Sequence, residues 1–325
     1  MYLHISTEND PAWHAALEEY LVRHLPHGFE LVLLYVNRPA VVIGKNQNPW
    51  RECAVEWIER EGMALIRRIS GGGTVVHDAG NLNFAFITGR DIRQVNNYRP
   101  FLQPLIAFLR ELGLEARQNE HNDIVVGDKK ISGNAQFTSR GRMISHGTLL
   151  FNSDLSRLKR ALQTTAVSIK SHSRPSRRSP VGNIREMLPA PMEMSAFREG
   201  LINHLRRHFA IRGEWVLSEE DRRKVADLCR ERYQSDAWRY GRTPRFTLET
   251  PASGDPWRIT VSGGKIEKIT SGQPSVPGEY LDALTGTVYR QGAIKEKLSG
   301  IVEFEKIKPY TLSRFIKLIY PFYEE

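Results

Sequence analysis

Residues 67–78 read Arg67-Arg68-Ile69-Ser70-Gly71-Gly72-Gly73-Thr74-Val75-Val76-His77-Asp78. The segment follows a β-like run, Ala64–Arg68, and precedes an alternating run, Asn81–Ile87, that predicts a half-buried strand. Three adjacent glycines let backbone N–H groups turn toward an anion, and the arginines add positive charge. The segment matches neither a Walker A loop nor the G-x-G-x-x-G spacing. A glycine run alone is typical of a flexible hairpin turn, but with these flanking residues we favour a phosphate-binding loop.

A second candidate segment, residues 122–134, places two lysines at a turn between β-like runs. A lysine at such a position can bring its ammonium against a carboxylate and an α-phosphate together and screen their repulsion. Taken alone, the segment is equally typical of a solvated hairpin. Only its pairing with the glycine loop makes the segment a candidate for catalysis.

A lone histidine, His146, stands in the segment Ser145–Phe151. Such a histidine is commonly a hydrogen-bonded structural residue. No other histidine or cysteine lies at zinc-ligand spacing from it, so the sequence predicts no structural metal site.

The order of β-like and helical runs predicts an α+β fold with a mixed β-sheet flanked by helices, because strands and helices do not alternate regularly. Lys130–Gln136 is expected to be one strand, and Ser168–Val181 is expected to be an exposed loop. The character of the sequence changes around residue 244. We therefore expect one domain over residues 1–244 and a small α+β domain over residues 245–325.

The composition of the chain limits the classes of protein to which it can belong. The 325 residues carry 46 Lys and Arg against 37 Asp and Glu, a net charge of +9, with 40% hydrophobic residues and two cysteines. No apolar run approaches the length of a membrane span, and the first residues lack the pattern of a signal peptide, so we expect a cytoplasmic protein without a membrane partner.

The positive charge predicts an anionic partner. The strip Arg157–Arg178 is solvated surface, a docking site for an acidic partner or a region that steers an anionic ligand. No aromatic residues are interleaved with its charges, so we expect no nucleic-acid partner.

Five segments, in this order along the chain, resemble the lipoate–protein ligase A family. They are Val42–Trp50, Arg68–Asn81, Asn122–Gly133, His146–Leu150 and Trp238–Gly241. The resemblance implies the α+β catalytic fold shared with biotin ligases, here over residues 1–244, and a C-terminal accessory domain. It implies a two-step reaction in which lipoate and ATP give lipoyl-AMP, and the lipoyl group then passes to a lysine. The partners implied are lipoyl domains of 2-oxo acid dehydrogenase complexes and the glycine cleavage H protein.

The same resemblance implies roles for individual residues. Lys130 is expected to contact both ATP phosphate and the lipoate carboxylate. The expected ATP-binding residues are Arg68, Gly73, Thr74, Val75, Val76 and Lys130, and the expected lipoate-binding residues are Ser70, Gly71, Gly72, His77, Lys130 and His146. A Mg²⁺ ion bridging phosphates is expected, with Asp123 as the hypothesis for a protein ligand. One departure is Pro180, which stands where family members usually carry a charged residue.

Two alternatives stay open. An octanoyl or lipoyl transferase of the same fold would need a cysteine nucleophile. Neither Cys53 nor Cys229 lies near the His146 segment in the sequence. A non-catalytic paralogue that binds lipoate or an acyl domain would not need the glycine loop and Lys130.

Overall fold

The computed structural model describes residues 1–164, 167–250, 256–270, 278–300 and 312–322. Its internal contacts divide the chain into two compact units. Unit 1 comprises Met1–Lys45, Ile66–Lys159 and Ser176–Gln234, and unit 2 comprises the described parts of Asn46–Leu65, Arg160–Pro175 and Ser235–Glu325. The domain boundary near residue 244 stays a prediction.

The described residues form the following strands: β1 Tyr2–Ile5, β2 Leu31–Tyr35, β3 Ala40–Ile43, β4 Ala64–Arg67, β5 Val75–His77, β6 Asn81–Gly89, β7 Ala116–Gln118, β8 Ile124–Val126, β9 Lys129–Ser132, β10 Asn134–Ser139, β11 Arg142–Leu150, β12 Ser168–Ser171, β13 Phe246–Glu249, β14 Arg258–Ser262 and β15 Lys265–Thr270. They form the following helices: α1 Pro11–His24, α2 Pro49–Glu52, α3 Val55–Arg60, α4 Arg99–Glu111, α5 Leu155–Ala161, α6 Ile184–Met187, α7 Met194–His208, α8 Glu219–Leu228, α9 Asp236–Arg239, α10 Gly278–Ala283, α11 Gln291–Ser299 and α12 Leu312–Ile319.

Unit 1 is built on a five-stranded mixed sheet of order β1-β2-β6-β11-β10. β1 and β2 are parallel, and the other neighbours are antiparallel. The strands β7, β8 and β9 form a second, antiparallel sheet, and β3 pairs antiparallel with β5. The mixed sheet with flanking helices confirms the predicted α+β class.

The central strand β6 corrects one expectation. Asn81–Ile87 was expected to be half-buried, but residues 81–88 are all buried. Leu82, Phe84 and Phe86 join a hydrophobic cluster with residues of α4 and α7, and α1 packs against the same strand. Both faces are therefore covered, and alternation of residue type does not reveal exposure in such a strand.

Two other expectations are wrong. Lys130–Gln136 is not one strand, because it divides at Gly133 into the ends of β9 and β10, which belong to different sheets. Ser168–Val181 is not wholly loop, because Ser168–Ser171 is an edge strand paired antiparallel with β13. Pairing to an existing sheet overrides the low strand propensity of a serine-rich segment.

Helix α1 carries buried polar residues on its packed face. Asp10 caps it by accepting a hydrogen bond from the Ala12 amide at 3.0 Å, and Pro11 occupies the first turn. Its face toward the sheet buries His14 and Glu18 as well as leucines and alanines. This helix therefore brings ionisable groups into the interior of unit 1.

Unit 2 contains the antiparallel sheet β12-β13-β14-β15 and an aromatic cluster. The Trp50 ring centroid lies 5.3 Å from that of Phe246 and 5.4 Å from that of Tyr289. The Trp50 indole N–H donates to the Tyr320 hydroxyl at 3.2 Å. Within the described residues, no helix is long and apolar enough to cross a membrane.

We expect Gly147→Ala to destabilise unit 1 by about 1–3 kcal/mol, as other overpacked cores are destabilised. A Cβ at Gly147 would lie 2.1 Å from Asn134 Oδ1 and 2.7 Å from Phe84 Cζ. The matched control is Gly89→Ala at the end of β6, where nothing lies within 4 Å of the added carbon. Thermal unfolding followed by circular dichroism measures the difference, and equal melting temperatures for the two variants would contradict it.

Candidate functional site

The glycine loop between β4 and β5 is held by its own arginine. Arg68 Nη2 donates to the carbonyls of Gly71 at 2.6 Å and Gly73 at 2.7 Å. Its Nη1 donates to the Val42 carbonyl at 3.1 Å, and its Nε donates to the Ser70 hydroxyl at 2.9 Å. The predicted ATP-contacting side chain thus fixes the shape of the loop.

The shape of the loop requires glycine at one position in particular. Gly72 has a φ of +89°, and a Cβ there would lie 2.9 Å from Arg68 Nη2. The backbone of Gly44 also approaches the loop, because a Cβ at Gly44 would lie 2.3 Å from the Gly72 carbonyl oxygen. Gly71 and Gly72 are nevertheless exposed to solvent. The loop therefore presents backbone rather than side chains to an incoming ligand.

The Arg68 guanidinium carries a buried positive charge beneath this loop. Burial is the main cause that lowers the pKa of Arg68 to about 10, and the Glu18 carboxylate opposes that shift. Since a pKa of about 10 lies well above neutral pH, the group stays charged. A fixed cation under exposed backbone favours an anionic ligand.

Lys130 lies beside the loop, on β9. Its Nζ is 2.9 Å from Asp123 Oδ1, and the two side chains are 24% and 10% exposed. A Cβ at Gly133 would lie 3.2 Å from Lys130 Nζ and 3.8 Å from Val75 Cγ1. Lys130 and Val75 therefore flank the same residue, Gly133. The two segments singled out from the sequence meet in unit 1.

The segment 176–182 touches both of these segments. The Thr74 amide donates to Ser176 Oγ at 2.9 Å. The Lys130 amide donates to the Pro180 carbonyl at 2.8 Å, and the Gly182 amide donates to the Lys130 carbonyl at 3.1 Å. Pro180 thus contributes a backbone carbonyl oxygen to this contact. The contact needs neither the charged side chain that family members usually carry here nor a backbone N–H.

His146 belongs to a buried network that ends on the glycine loop. Its Nδ1 lies 2.7 Å from Glu18 Oε2, and its Nε2 lies 2.7 Å from Ser70 Oγ. A carboxylate only accepts hydrogen bonds, so Nδ1 carries a proton. Tyr35 donates to the other oxygen of Glu18 at 3.0 Å. The Ser70 hydroxyl accepts from Arg68 and can donate to His146.

His77 is the other buried histidine of the predicted site. Its backbone is paired with that of Ala40, where β5 lies antiparallel to β3. Its Nδ1 lies 2.9 Å from the side-chain amide nitrogen of Asn37. Burial, followed by the charge of Arg68, lowers the pKa of His77 to about 3. The imidazole is therefore neutral at physiological pH.

Sequence reasoning missed four buried residues that support this site: His14, Glu18, Tyr35 and Asn37. One signal was available. His14 and Glu18 are polar residues four positions apart, on the otherwise apolar face of the first helix. A polar pair at that spacing on a packed face indicates hydrogen-bond partners elsewhere in the core.

The basic strip Arg157–Arg178 does not act as one run of free charge. Lys170 pairs with Glu249 at 3.3 Å, and the Arg160 guanidinium lies 6.0 Å from the centroid of the Trp57 ring. Arg177 Nη1 lies 3.1 Å from His121 Nδ1. Residues 165 and 166 of the strip lie outside the described part of the chain.

Neither cysteine is placed as a nucleophile. Cys53 and Cys229 are both buried, at 1% and 5% exposure, and neither forms a disulfide. Burial raises the pKa of the Cys229 thiol to about 11, so it is protonated at neutral pH. The cysteine-dependent transferase alternative therefore has no support from the described side chains.

The sequence of this chain matches a family model described as the lipoyl protein ligase A/B catalytic domain over residues 10–206. The Bacillus subtilis (strain 168) protein "Lipoate-protein ligase LplJ" is 39% identical over 322 residues, covering 96% of this chain and 97% of the relative. "Lipoate--protein ligase 1" of Staphylococcus aureus (strain Mu50 / ATCC 700699) is 39% identical over 306 residues, covering 91% and 93%.

Solved structures of such ligases share the fold. A lipoate-protein ligase A bound with ATP is 26% identical, with a TM-score of 0.63 over 74% of this chain and 98% of that one. A putative Thermoplasma acidophilum lipoate protein ligase with bound lipoic acid is 25% identical, with a TM-score of 0.64 over 73% and 98%. A bi-partite ligase from the same organism, described with its E2 lipoyl domain, is 25% identical, with a TM-score of 0.64 over 73% and 95%.

Matches over most of the chain to named lipoate–protein ligases agree with the resemblance found in the motifs. The chain belongs to the lipoate–protein ligase A family and is an enzyme of that class.

Proposed function

We propose that this chain joins lipoate to ATP, giving lipoyl-AMP and pyrophosphate, and then transfers the lipoyl group to a lysine of an acceptor lipoyl domain. The observation that carries the proposal is the Lys130 ammonium beside an exposed glycine loop with a buried arginine under it. The relatives named as ligases, and the related structures with ATP or lipoic acid bound, support the same two ligands.

The first step joins two anions. A lipoate carboxylate oxygen attacks the α-phosphorus of ATP, a P–O bond forms, and pyrophosphate leaves with the electron pair of the broken bond. Lys130 is proposed to contact both the α-phosphate and the carboxylate, because one ammonium there screens their repulsion. The loop backbone and the residues Arg68, Gly73, Thr74, Val75 and Val76 are proposed to hold the nucleotide.

The acid is proposed to bind against the residues that connect the loop with the buried network: Ser70, Gly71, Gly72, His77, Lys130 and His146. Ser70 and His146 are already hydrogen-bonded to each other, so their positions are set before a ligand enters. In the second step the neutral ε-amine of the acceptor lysine attacks the acyl carbon. The amide bond forms, AMP leaves, and the amine loses a proton.

We propose that Asp123 would hold a Mg²⁺ ion, which would supply positive charge to the phosphates of bound ATP. No cluster of three or more His, Cys, Asp or Glu side chains that could hold a metal is present among the described residues. An Asp beside the phosphates nevertheless fits Mg²⁺, which commonly combines one or two carboxylates with phosphate oxygens. One Asp123 oxygen accepts from Lys130, and a carboxylate has a second oxygen for a cation.

The proposed acceptors are lipoyl domains of 2-oxo acid dehydrogenase complexes and the glycine cleavage H protein. The Thermoplasma ligase described with its E2 lipoyl domain supports the first of these. The proposed compartment is the cytoplasm, since two buried cysteines without a disulfide fit a reducing environment.

The direct test incubates the chain with ATP, Mg²⁺, lipoate and an apo E2 lipoyl domain, and reads the acceptor by intact mass. We expect the mass of one lipoyl group on the acceptor, and lipoate-dependent ATP–pyrophosphate exchange without acceptor. Transfer from octanoyl-carrier protein without ATP would show the transferase instead. Binding of lipoate without exchange or transfer would show a non-catalytic paralogue.

We expect Gly72→Ala to weaken ATP binding at least tenfold, because a side chain at this φ strains the backbone and displaces Arg68 from the loop carbonyls. The matched control is Gly28→Ala, which also has a positive φ but lies outside the loop, with nothing within 4 Å of the added carbon. Isothermal titration with ATP measures both affinities. An unchanged ATP affinity in folded Gly72→Ala would show that the loop is not part of the nucleotide site.

We expect Lys130→Ala to lower the rate of lipoate-dependent pyrophosphate exchange by ~10²–10³, the scale of losing one donor to a developing charge. The variant leaves the Asp123 carboxylate unpaired, which itself destabilises the fold. The double variant Lys130→Ala/Asp123→Ala removes that charge and serves as the folding control. Near-normal exchange by either folded variant would contradict the role of Lys130.

We expect the exposed arginines of the segment 176–182 to speed association with an acidic lipoyl domain. Arg177→Ala/Arg178→Ala should lower the association rate about threefold to tenfold at low ionic strength, and added salt should reduce the difference. The control is Arg223→Ala on α8, which also removes exposed positive charge. Stopped-flow fluorescence measures the rates, and a wild-type rate independent of salt would rule out this docking surface.

A further inference from the structure

A chain of polar side chains leads from the partly exposed Ser6, which follows β1, through buried residues to His77. Ser6 Oγ lies 2.8 Å from His14 Nε2, and His14 Nδ1 lies 2.6 Å from Asn37 Oδ1. The amide nitrogen of Asn37 then lies 2.9 Å from His77 Nδ1. The exposed fractions of His14, Asn37 and His77 are 0%, 2% and 5%. Because the two contacts of Asn37 are buried, each of them must pair one donor with one acceptor.

The amide of Asn37 decides which ring nitrogens carry protons. An asparagine donates through its nitrogen and accepts through its oxygen. The nitrogen faces His77, so His77 Nδ1 accepts and its proton is on Nε2. The oxygen faces His14, so His14 Nδ1 donates, and His14 Nε2 accepts from the Ser6 hydroxyl. The two histidines therefore have opposite tautomers.

We infer that Asn37 is a positioning residue for the activation of lipoate, because it holds His77 as the neutral tautomer with its proton on Nε2. The inference rests on the proposed function, in which His77 contacts the acid. In this tautomer the nitrogen that does not face Asn37 is a hydrogen-bond donor. A donor without a full charge can bind a carboxylate or carbonyl oxygen of the acid and keep the same form throughout the reaction.

The groups around the ring keep it neutral. Arg68, His14 and His146 face His77, and after burial their charges are the causes that lower its pKa to about 3. Burial likewise lowers the pKa of His14 to about 4, although Asn37 and Glu18 oppose the shift. Because both pKa values lie below the ordinary value near 6.5, the neutral forms are favoured from about pH 5.5 to 8.5.

The tautomers can be measured without any assay of activity. The full-length chain is labelled with ¹⁵N-histidine, and two-bond ¹⁵N–¹H correlation spectra of its ten histidines are recorded between about pH 5.5 and 8.5. The signals that disappear in His77→Gln and in His14→Gln assign the two rings. We expect the proton of His77 on Nε2 and that of His14 on Nδ1 at every pH. A His77 with its proton on Nδ1, or doubly protonated, would overturn the inference.

The functional test replaces the side-chain amide of Asn37 with a carboxylate. In Asn37→Asp the carboxylate only accepts, so His77 Nδ1 must donate and Nε2 loses its proton unless the ring becomes charged. We expect the KM for lipoate in pyrophosphate exchange to rise about tenfold or more, and the KM for ATP to change less than about twofold. Because protonation of His77 restores the Nε2 donor, the lipoate KM of the variant should approach that of the wild type as the pH falls.

The matched control is Asn97→Asp, the same exchange in an exposed loop, which should leave both KM values unchanged. If Asn37→Asp does not fold, the wild-type spectra still decide the tautomer, and Asn37→Ser, which can donate to His77, supplies the kinetic comparison. A correct tautomer with an unchanged lipoate KM in the variant would overturn the positioning role. If the wild type shows no lipoate-dependent pyrophosphate exchange, the proposed function is overturned. The spectra then still test the tautomers independently.

Discussion

The contact of Arg68 with the carbonyls of Gly71 and Gly73 is the constraint on which the site depends. A glycine run has many conformations to lose on folding, so something must hold it. Arg68 supplies donors in a fixed planar arrangement, which a lysine ammonium does not. In a trans peptide the N–H points opposite to the carbonyl, so turning the Gly71 oxygen toward Arg68 turns the Gly72 amide away from it. The same bond that orders the loop therefore orients its donor.

The two cations of the site have different surroundings and can do different work. Arg68 is buried and bonded to carbonyls, so its charge stays in place beneath the loop. Lys130 is partly exposed and bonded to Asp123. This ion pair orders a flexible side chain before any ligand is present, which removes part of the entropy cost of binding, at most about 2 kcal/mol. In the proposed reaction the ammonium exchanges this carboxylate for phosphate oxygens.

Sequence reasoning singled out the parts of the candidate site that depend on local chemistry. The glycine loop was singled out by residue type and Lys130 by the family resemblance, and the structure brings the two segments together on either side of Gly133. Their roles in binding stay predictions. The supporting contacts were not predicted, because they join residues far apart in the chain. Glu18 and His146 are 128 positions apart, and their contact depends on the packing of α1 against the sheet. No local pattern encodes that distance.

The fold was predicted to a similar extent. The α+β class and the mixed sheet of unit 1 follow from the irregular order of strand-like and helical runs. The full burial of β6 did not follow, because α1 covers the face on which the alternating pattern places its polar residues. The break at Gly133 also did not follow, since β9 and β10 join different sheets only in the folded chain. Tertiary context decides burial and pairing, while local sequence decides element type.

The two buried networks of unit 1 meet at Tyr35. Its hydroxyl donates to Glu18, which holds His146, and its ring stacks on His14 at a centroid distance of 4.2 Å. The networks therefore share one side chain, although each ends on a different predicted ligand-binding residue. Buried polar groups are costly unless every partner is present, so the loss of one member raises the free energy of the others. Such coupling explains why α1 and β2 carry polar residues in a core that apolar side chains would otherwise fill: they orient the imidazoles that the glycine loop cannot orient alone.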